Sequence, residues 1–339
     1  MRPAPRRPLV TLLTVLGGVT ALAAPASAQV VLPPTQAAAE QVVNQYIQAN
    51  THNNNTLDVE GQAAIEDAPI KPIDDALFRE YRGRGKTTLA ENVTNDSVKV
   101  FRPDQSSYPL SFLALQRSHD PNAKVRQYLL FGKASAADPW KVSMAAQLLD
   151  RAATPKLKVD SDGFAKVVTD QAAAALVVKP TELAPKLAKV WDKSLNGVPT
   201  SKDFEPGVLT TDVSATFVGE LQQLPLSQAK VDFKFTPGEN RPSCFATSRG
   251  GALCLFVVTI RETLKPASGS FVQPPTREPL TGLIAPGSYK EVHFDRTAIL
   301  VAAVPKRGKL ARADVIGIYE GLTHADAIPG AADQPGTSV

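Results

Sequence analysis

Hydrophobic and polar positions alternate between two periods along this chain, helical spacing first and strand alternation second, and the order occurs twice. Ala39, Val42, Val43, Tyr46 and Ile47 recur at helical spacing between Thr35 and Asn50, with Thr35 placed to cap the first turn. Thr51-His52-Asn53-Asn54-Asn55 is expected to end that helix, because Asn side chains compete for backbone hydrogen bonds. Leu57–Glu66 reads as a poorer helix, and Asp74–Tyr81 as a third after the breaks at Pro69 and Pro72. From Ser97 the period becomes two, with Val98 and Val100 set against Ser97 and Lys99. Leu110–Gln116, Val125–Lys133 and Trp140–Leu149 follow as strands between turn-rich segments.

Arg151–Gly163, polar and carrying Pro155, reads as a linker, after which helices return. Thr181 heads one with Leu183, Leu187, Val190, Trp191 and Leu195 on one side; Thr211 heads another with Val213, Phe217, Val218 and Leu221 inward. Strands resume where Val231, Phe233 and Phe235 alternate with Lys230, Asp232 and Lys234. Ser243–Leu264 is the most apolar run outside the N-terminus, and Ser248-Arg249-Gly250-Gly251 divides it as a hairpin turn. Pairing Cys244 with Cys254 sets Phe245 opposite Leu253 and Ala246 opposite Ala252. The two thiols then share a face and can form a disulfide where the pair is a non-hydrogen-bonded one. Tyr289–Val304 and Ala313–Leu322 are the last strands, with a bend or bulge expected near Asp295-Arg296. Lys265–Ser288 reads as a long loop, and the tail beyond Pro329 as disordered.

Composition changes the picture at the N-terminus. Arg2, Arg6 and Arg7, the apolar Leu9–Ala23 and Ala26-Ser27-Ala28 have the form of an export signal over residues 1–28, cleaved before Gln29. The chain carries 37 basic and 33 acidic residues, and the signal removes three arginines and no acid. The mature chain is thus near neutral, which gives no support for nucleic acid or an anionic membrane as partner. Two cysteines in an exported chain are expected to pair, and with four scattered histidines they leave too few ligands for a metal site. No other stretch is apolar enough to span a bilayer.

The opening helix AAAEQVVNQYIQAN, the strand YLLFGK and the hairpin into DPWKVSMAAQLL resemble the NTF2-like (cystatin-like) superfamily, in which a helical hairpin packs into a curved antiparallel sheet to form a cone. Over nearly its full mature length the chain also resembles a secreted, largely actinobacterial family with two such domains in tandem. The resemblance implies an α+β fold of two NTF2-like domains, 29–150 and 164–325, each with helices packed on a curved meander sheet. Residues 151–163 would link them and 326–339 would form a disordered tail. It implies export and a cavity, and no particular activity.

Candidate chemistry is sparse. Gly85-Lys86-Thr87 lacks the glycine that a phosphate loop needs five positions earlier, where Glu80 stands. Arg79, Arg82, Arg84 and Lys86 form a small basic cluster that reads as a solvated helix end. Tyr46 and Trp140 are candidates to line a cone. His293 and Asp295, two apart on one strand face, are the one acid–base pair with sensible spacing. The expected role is an exported, non-catalytic binding or interaction protein of the cell envelope or extracellular space, without a cofactor. Its partner would be a small apolar ligand or an envelope protein. The alternative is an enzyme of isomerase, hydratase or hydrolase type, with a buried acid or base in one cone. A deep cavity with a buried ionisable group would favour that alternative.

Overall fold

The computed structural model describes residues 32–89, 94–119, 124–150, 152–213, 229–269, 271–272, 283–285, 287–308 and 311–330. The segment read as an export signal, most of the helix expected after Thr211 and the tail from 331 lie outside the described residues. The described residues form one compact unit.

Thr35 caps α1 (Gln36–Thr56) by accepting from the Ala38 N–H. The helix runs straight through the Asn-rich stretch expected to stop it. The reason is tertiary: Asn53 is buried and donates to the Gln62 side chain at 3.1 Å, so its amide no longer competes for the backbone. Leu57 ends the helix instead, in the left-handed conformation at φ 54°. Asp58 then caps α2 (Val59–Ile65), and α3 (Lys71–Gly83) follows.

β1 (Thr94–Phe101), β2 (Leu110–His119), β3 (Lys124–Lys133) and β4 (Lys141–Leu148) form the expected antiparallel meander. Beyond it come α4 (Asp170–Ala174), α5 (Pro180–Leu195), β5 (Ala229–Pro237), β6 (Ser243–Ala246), β7 (Ala252–Pro266), β8 (Tyr289–Val304) and β9 (Asp314–Pro329). β8 shifts register between Asp295 and Arg296, where the bend was expected. β9 is longer than expected, so residues 326–329 are strand.

The expected pair of NTF2-like domains does not form. The nine strands make a single antiparallel sheet in the order β1-β2-β3-β4-β9-β8-β7-β5, with β6 beside β5 on the same edge of β7. The meander of the first half is joined to that of the second through Gln147↔Ile318 and Leu148↔Gly317. Gly317 makes the join possible, because a Cβ there would lie 2.5 Å from the Gln147 carbonyl oxygen. The stretch read as a linker, 151–163 (described from 152), and the residues that follow it to 168 are stitched to both halves. The Ala165 N–H donates to the Arg102 carbonyl, and the Val168 N–H to that of Cys244.

Burial explains why two self-contained domains are not the answer. Leu253, Leu255, Val257, Ile299 and Val301 point into the core built around β2, β3 and α1. Their strand neighbours Cys254, Phe256, Val258, Leu300 and Ala302 point into a second core under α5. β7 and β8 are therefore covered on both faces, which is why Ser243–Leu264 reads as a near-continuous apolar run. They form a wall shared by two cores.

Cys244 and Cys254 sit directly opposite one another and are bonded, with Cα atoms 4.1 Å apart. The Cys244 carbonyl accepts from Val168, away from β7, as a non-hydrogen-bonded pair requires. Replacing both cysteines by Ala is expected to lower the unfolding free energy by roughly 2–3 kcal/mol, the loop-closure term for so short a loop. Urea denaturation of the double variant measures this, and an unchanged midpoint would refute it.

Candidate functional site

On the face of β2–β4 turned toward α1, side-chain character changes steadily along the strands. At one end Phe112 and Phe131, opposite each other in register, stack at 4.6 Å, with Tyr46 edge-on to Phe131 at 5.6 Å. Next come the small or aliphatic Ala114, Leu129 and Ala145. Then the same face turns polar, because Gln116 pairs with Gln127 and Gln127 with Gln147 across three adjacent strands. The Gln127 amide donates to the Gln116 carbonyl oxygen at 2.7 Å. This ladder of amides runs outward from buried Gln116 through half-buried Gln127 to exposed Gln147.

Between the ladder and the helices lies a cavity of about 230 Å³. Tyr46, Asn50 and Asn54 of α1 line one wall, Asp74 of α3 and Tyr319 of β9 another. Ser118, also lining it, has a buried hydroxyl with no hydrogen-bond partner among the described residues.

Behind this wall runs a buried polar network. Gln62 donates to Asn50 at 2.8 Å and to Asp74 at 3.2 Å, and accepts from Asn53. The Tyr319 hydroxyl donates to the other Asp74 oxygen at 2.5 Å, and the Tyr46 hydroxyl donates to Glu66 at 2.9 Å. Glu66 is fully buried, and its second oxygen has no hydrogen-bond partner among the described residues. Burial, reinforced by the adjacent Asp74 carboxyl, pushes Glu66 up to about 9. Burial raises Asp74 as well. Burial also lifts the Tyr46 hydroxyl well above its ordinary value, with Glu66 adding to the effect. At neutral pH Glu66 is thus held as a neutral acid.

Of the residues singled out in the sequence, Tyr46 lines the cavity. Trp140 packs against Phe112 at 4.9 Å, at the apolar end of the same face and outside the cavity lining. His293 and Asp295 share a face, but each is engaged elsewhere. Arg261 grips Asp295 through two hydrogen bonds of 2.7 Å, which hold its carboxyl below the usual range. His293 contacts Thr263 at 3.2 Å and faces Glu291 and Asp326. The basic cluster on α3 is similarly occupied, with Arg84 on Glu80 and Arg82 on the Leu57 carbonyl.

The carboxyls and the amide ladder were not singled out in the sequence. Asp74 had a signal there: it falls within the stripe of Ile70, Ile73, Leu77 and Phe78, an acid on an apolar helix face. The three glutamines are recognisable as a group only when strand register is known.

Among the described residues no group of three His, Cys, Asp or Glu is placed to hold a metal ion. No helix among them is long and apolar enough to cross a membrane. No curated protein and no solved structure matches the chain. A family model does, over residues 32–327, described as Domain of unknown function (DUF8094).

Proposed function

The chain belongs to the DUF8094 family, and we propose that it is an exported binding protein that takes up a small, neutral, polar ligand. The supporting observation is the Gln116–Gln127–Gln147 ladder facing Asn50 and Asn54 across the cavity. Amides present donors and acceptors without charge, and the capacity left after the Gln127–Gln116 and Gln62–Asn50 bonds matches the hydroxyl and amide groups of a monosaccharide or an N-acylated sugar. The orphaned Ser118 hydroxyl adds one more group for a ligand to satisfy. The volume suits a ligand of that size, and Ile47, Ile70, Leu77 and Leu129 in the same lining would meet the apolar face of a sugar ring. Export rests on the N-terminal signal pattern and is consistent with the disulfide.

The test is a thermal-shift and NMR titration of the mature chain with free and N-acetylated monosaccharides. At least one is expected to give saturable shifts at ladder residues. Gln127→Leu, which keeps volume and deletes the polar groups, should abolish them without loss of fold. Shifts that persist in Gln127→Leu would exclude the ladder as the binding surface.

A catalytic reading has one observation in its favour: Asp74 reaches the cavity with the neutral acid Glu66 behind it. Against it, each Asp74 oxygen already accepts a hydrogen bond, from Tyr319 or Gln62, and would have to give one up to take a proton from a substrate. Turnover of a bound sugar that Asp74→Asn abolishes while leaving binding intact would favour catalysis.

A further inference from the structure

Far from the cavity in sequence, three segments bring positive charge to one cleft of about 620 Å³. Lys186, Lys189 and Lys193 stand at i, i+3 and i+7 of α5, opposite the face that buries Leu183, Leu187 and Trp191. Lys202 comes from the loop after α5, and Arg312 from the approach to β9. Asp203 is the one acid among the lining residues, and it is bound to Lys186 at 3.1 Å. Lys189, Lys193, Lys202 and Arg312 have no acidic partner within ion-pair distance among the described residues.

A solvated helix face accounts for lysines on α5 alone. It does not account for their meeting Lys202 and Arg312 from other parts of the chain. Like charges four apart, as at Lys189 and Lys193, destabilise a helix, so the arrangement carries a cost. It also stands in a mature chain whose charge is otherwise near balance. Clefts lined by one sign of charge concentrate ligands of the other.

We propose that this cleft is a binding site for an oligoanion bearing two or more phosphoryl groups, with Lys189, Lys193, Lys202 and Arg312 as its contacts. Three segments present several charges to a ligand wide enough to meet them together, so a single phosphate gains little. Thr200 and Ser201, also lining the cleft, supply neutral hydroxyl donors.

The experiment is isothermal titration of the mature chain with tripolyphosphate, with inorganic phosphate at matched ionic strength as comparison. Saturable binding of tripolyphosphate at a stoichiometry of about one is expected, weakening with salt as for any charge-driven contact. Lys189→Glu/Lys193→Glu should weaken it by about tenfold or more, the scale of two lost charge-assisted contacts. The neutral pair Lys189→Gln/Lys193→Gln, which removes the repulsion without creating a new like-charge pair, should weaken binding in the same direction while its unfolding midpoint holds or rises. Lys156→Glu/Lys158→Glu, an equal change of net charge on exposed residues outside the cleft lining, should leave affinity unchanged. Absence of saturable binding, equal affinity for inorganic phosphate, or equal weakening by the two Lys→Glu double variants would each overturn the proposal.

Discussion

Glu66→Gln is expected to stabilise the protein at neutral pH and to leave it unchanged in mild acid. In the folded chain the Glu66 carboxyl is raised to about 9 from an ordinary value of 4.5. The stability associated with its neutral form is fully present below the ordinary value. It is lost as pH rises toward 9, because the unfolded chain ionises freely while the folded one holds its proton. Over that window each pH unit removes about 1.4 kcal/mol, so at neutral pH the loss is about 3 kcal/mol. Glutamine is neutral at every pH and retains an oxygen to accept from Tyr46. Its advantage should therefore grow from nothing in mild acid to about 3 kcal/mol at neutrality, and further above it. Urea denaturation across this range measures the effect. Parallel curves for wild type and variant would mean that Glu66 titrates normally and that the buried pair has been misread.

The second large effect is expected at Trp191, and it reports on how the two cores are coupled. Its ring is fully buried under α5, donates to the Leu209 carbonyl at 3.0 Å and meets Phe235 edge-on at 5.5 Å. Trp191→Ala should lower the unfolding free energy by about 3–5 kcal/mol. Trp140 is the only other tryptophan and belongs to the first core. In the variant its fluorescence therefore follows the half of the molecule that was not altered. Because β7 and β8 wall both cores, the Trp140 transition should move to lower urea together with the far-UV circular dichroism. A Trp140 midpoint left at the wild-type value would show that the first core stands alone.

Local structure was largely legible from sequence, and for local reasons. Thr35 caps where a Thr before an apolar helical stripe should cap. The alternation at Val231, Phe233 and Phe235 becomes β5, and the glycine turn sets Cys244 opposite Cys254. What failed was pairing at long range. Alternation states which face a residue occupies but not which strand lies beside it, so a two-residue contact between β4 and β9 left no pattern to find. Gly317, whose missing Cβ permits that contact, reads in isolation as a weak point in a strand. The candidate site inherits the same limit. Tyr46 was accessible through its helix periodicity. The amide ladder needed the register of three strands, and Tyr319 meets Asp74 across 245 positions of sequence.

The place of β9 also dictates an order of events during synthesis. β4 leaves the ribosome long before β9 exists; its Val142 end is bridged to Glu66, but its other end at Gln147 and Leu148 has no strand beside it until Gly317 arrives. The same strand delivers Tyr319 to Asp74, so a nascent chain has an unfinished pocket until β9 has been made. Contacts of such separation form slowly and leave apolar edges open to association in the meantime. Late closure therefore keeps the sheet incomplete, and both of its cores open to solvent, until β9 has been made.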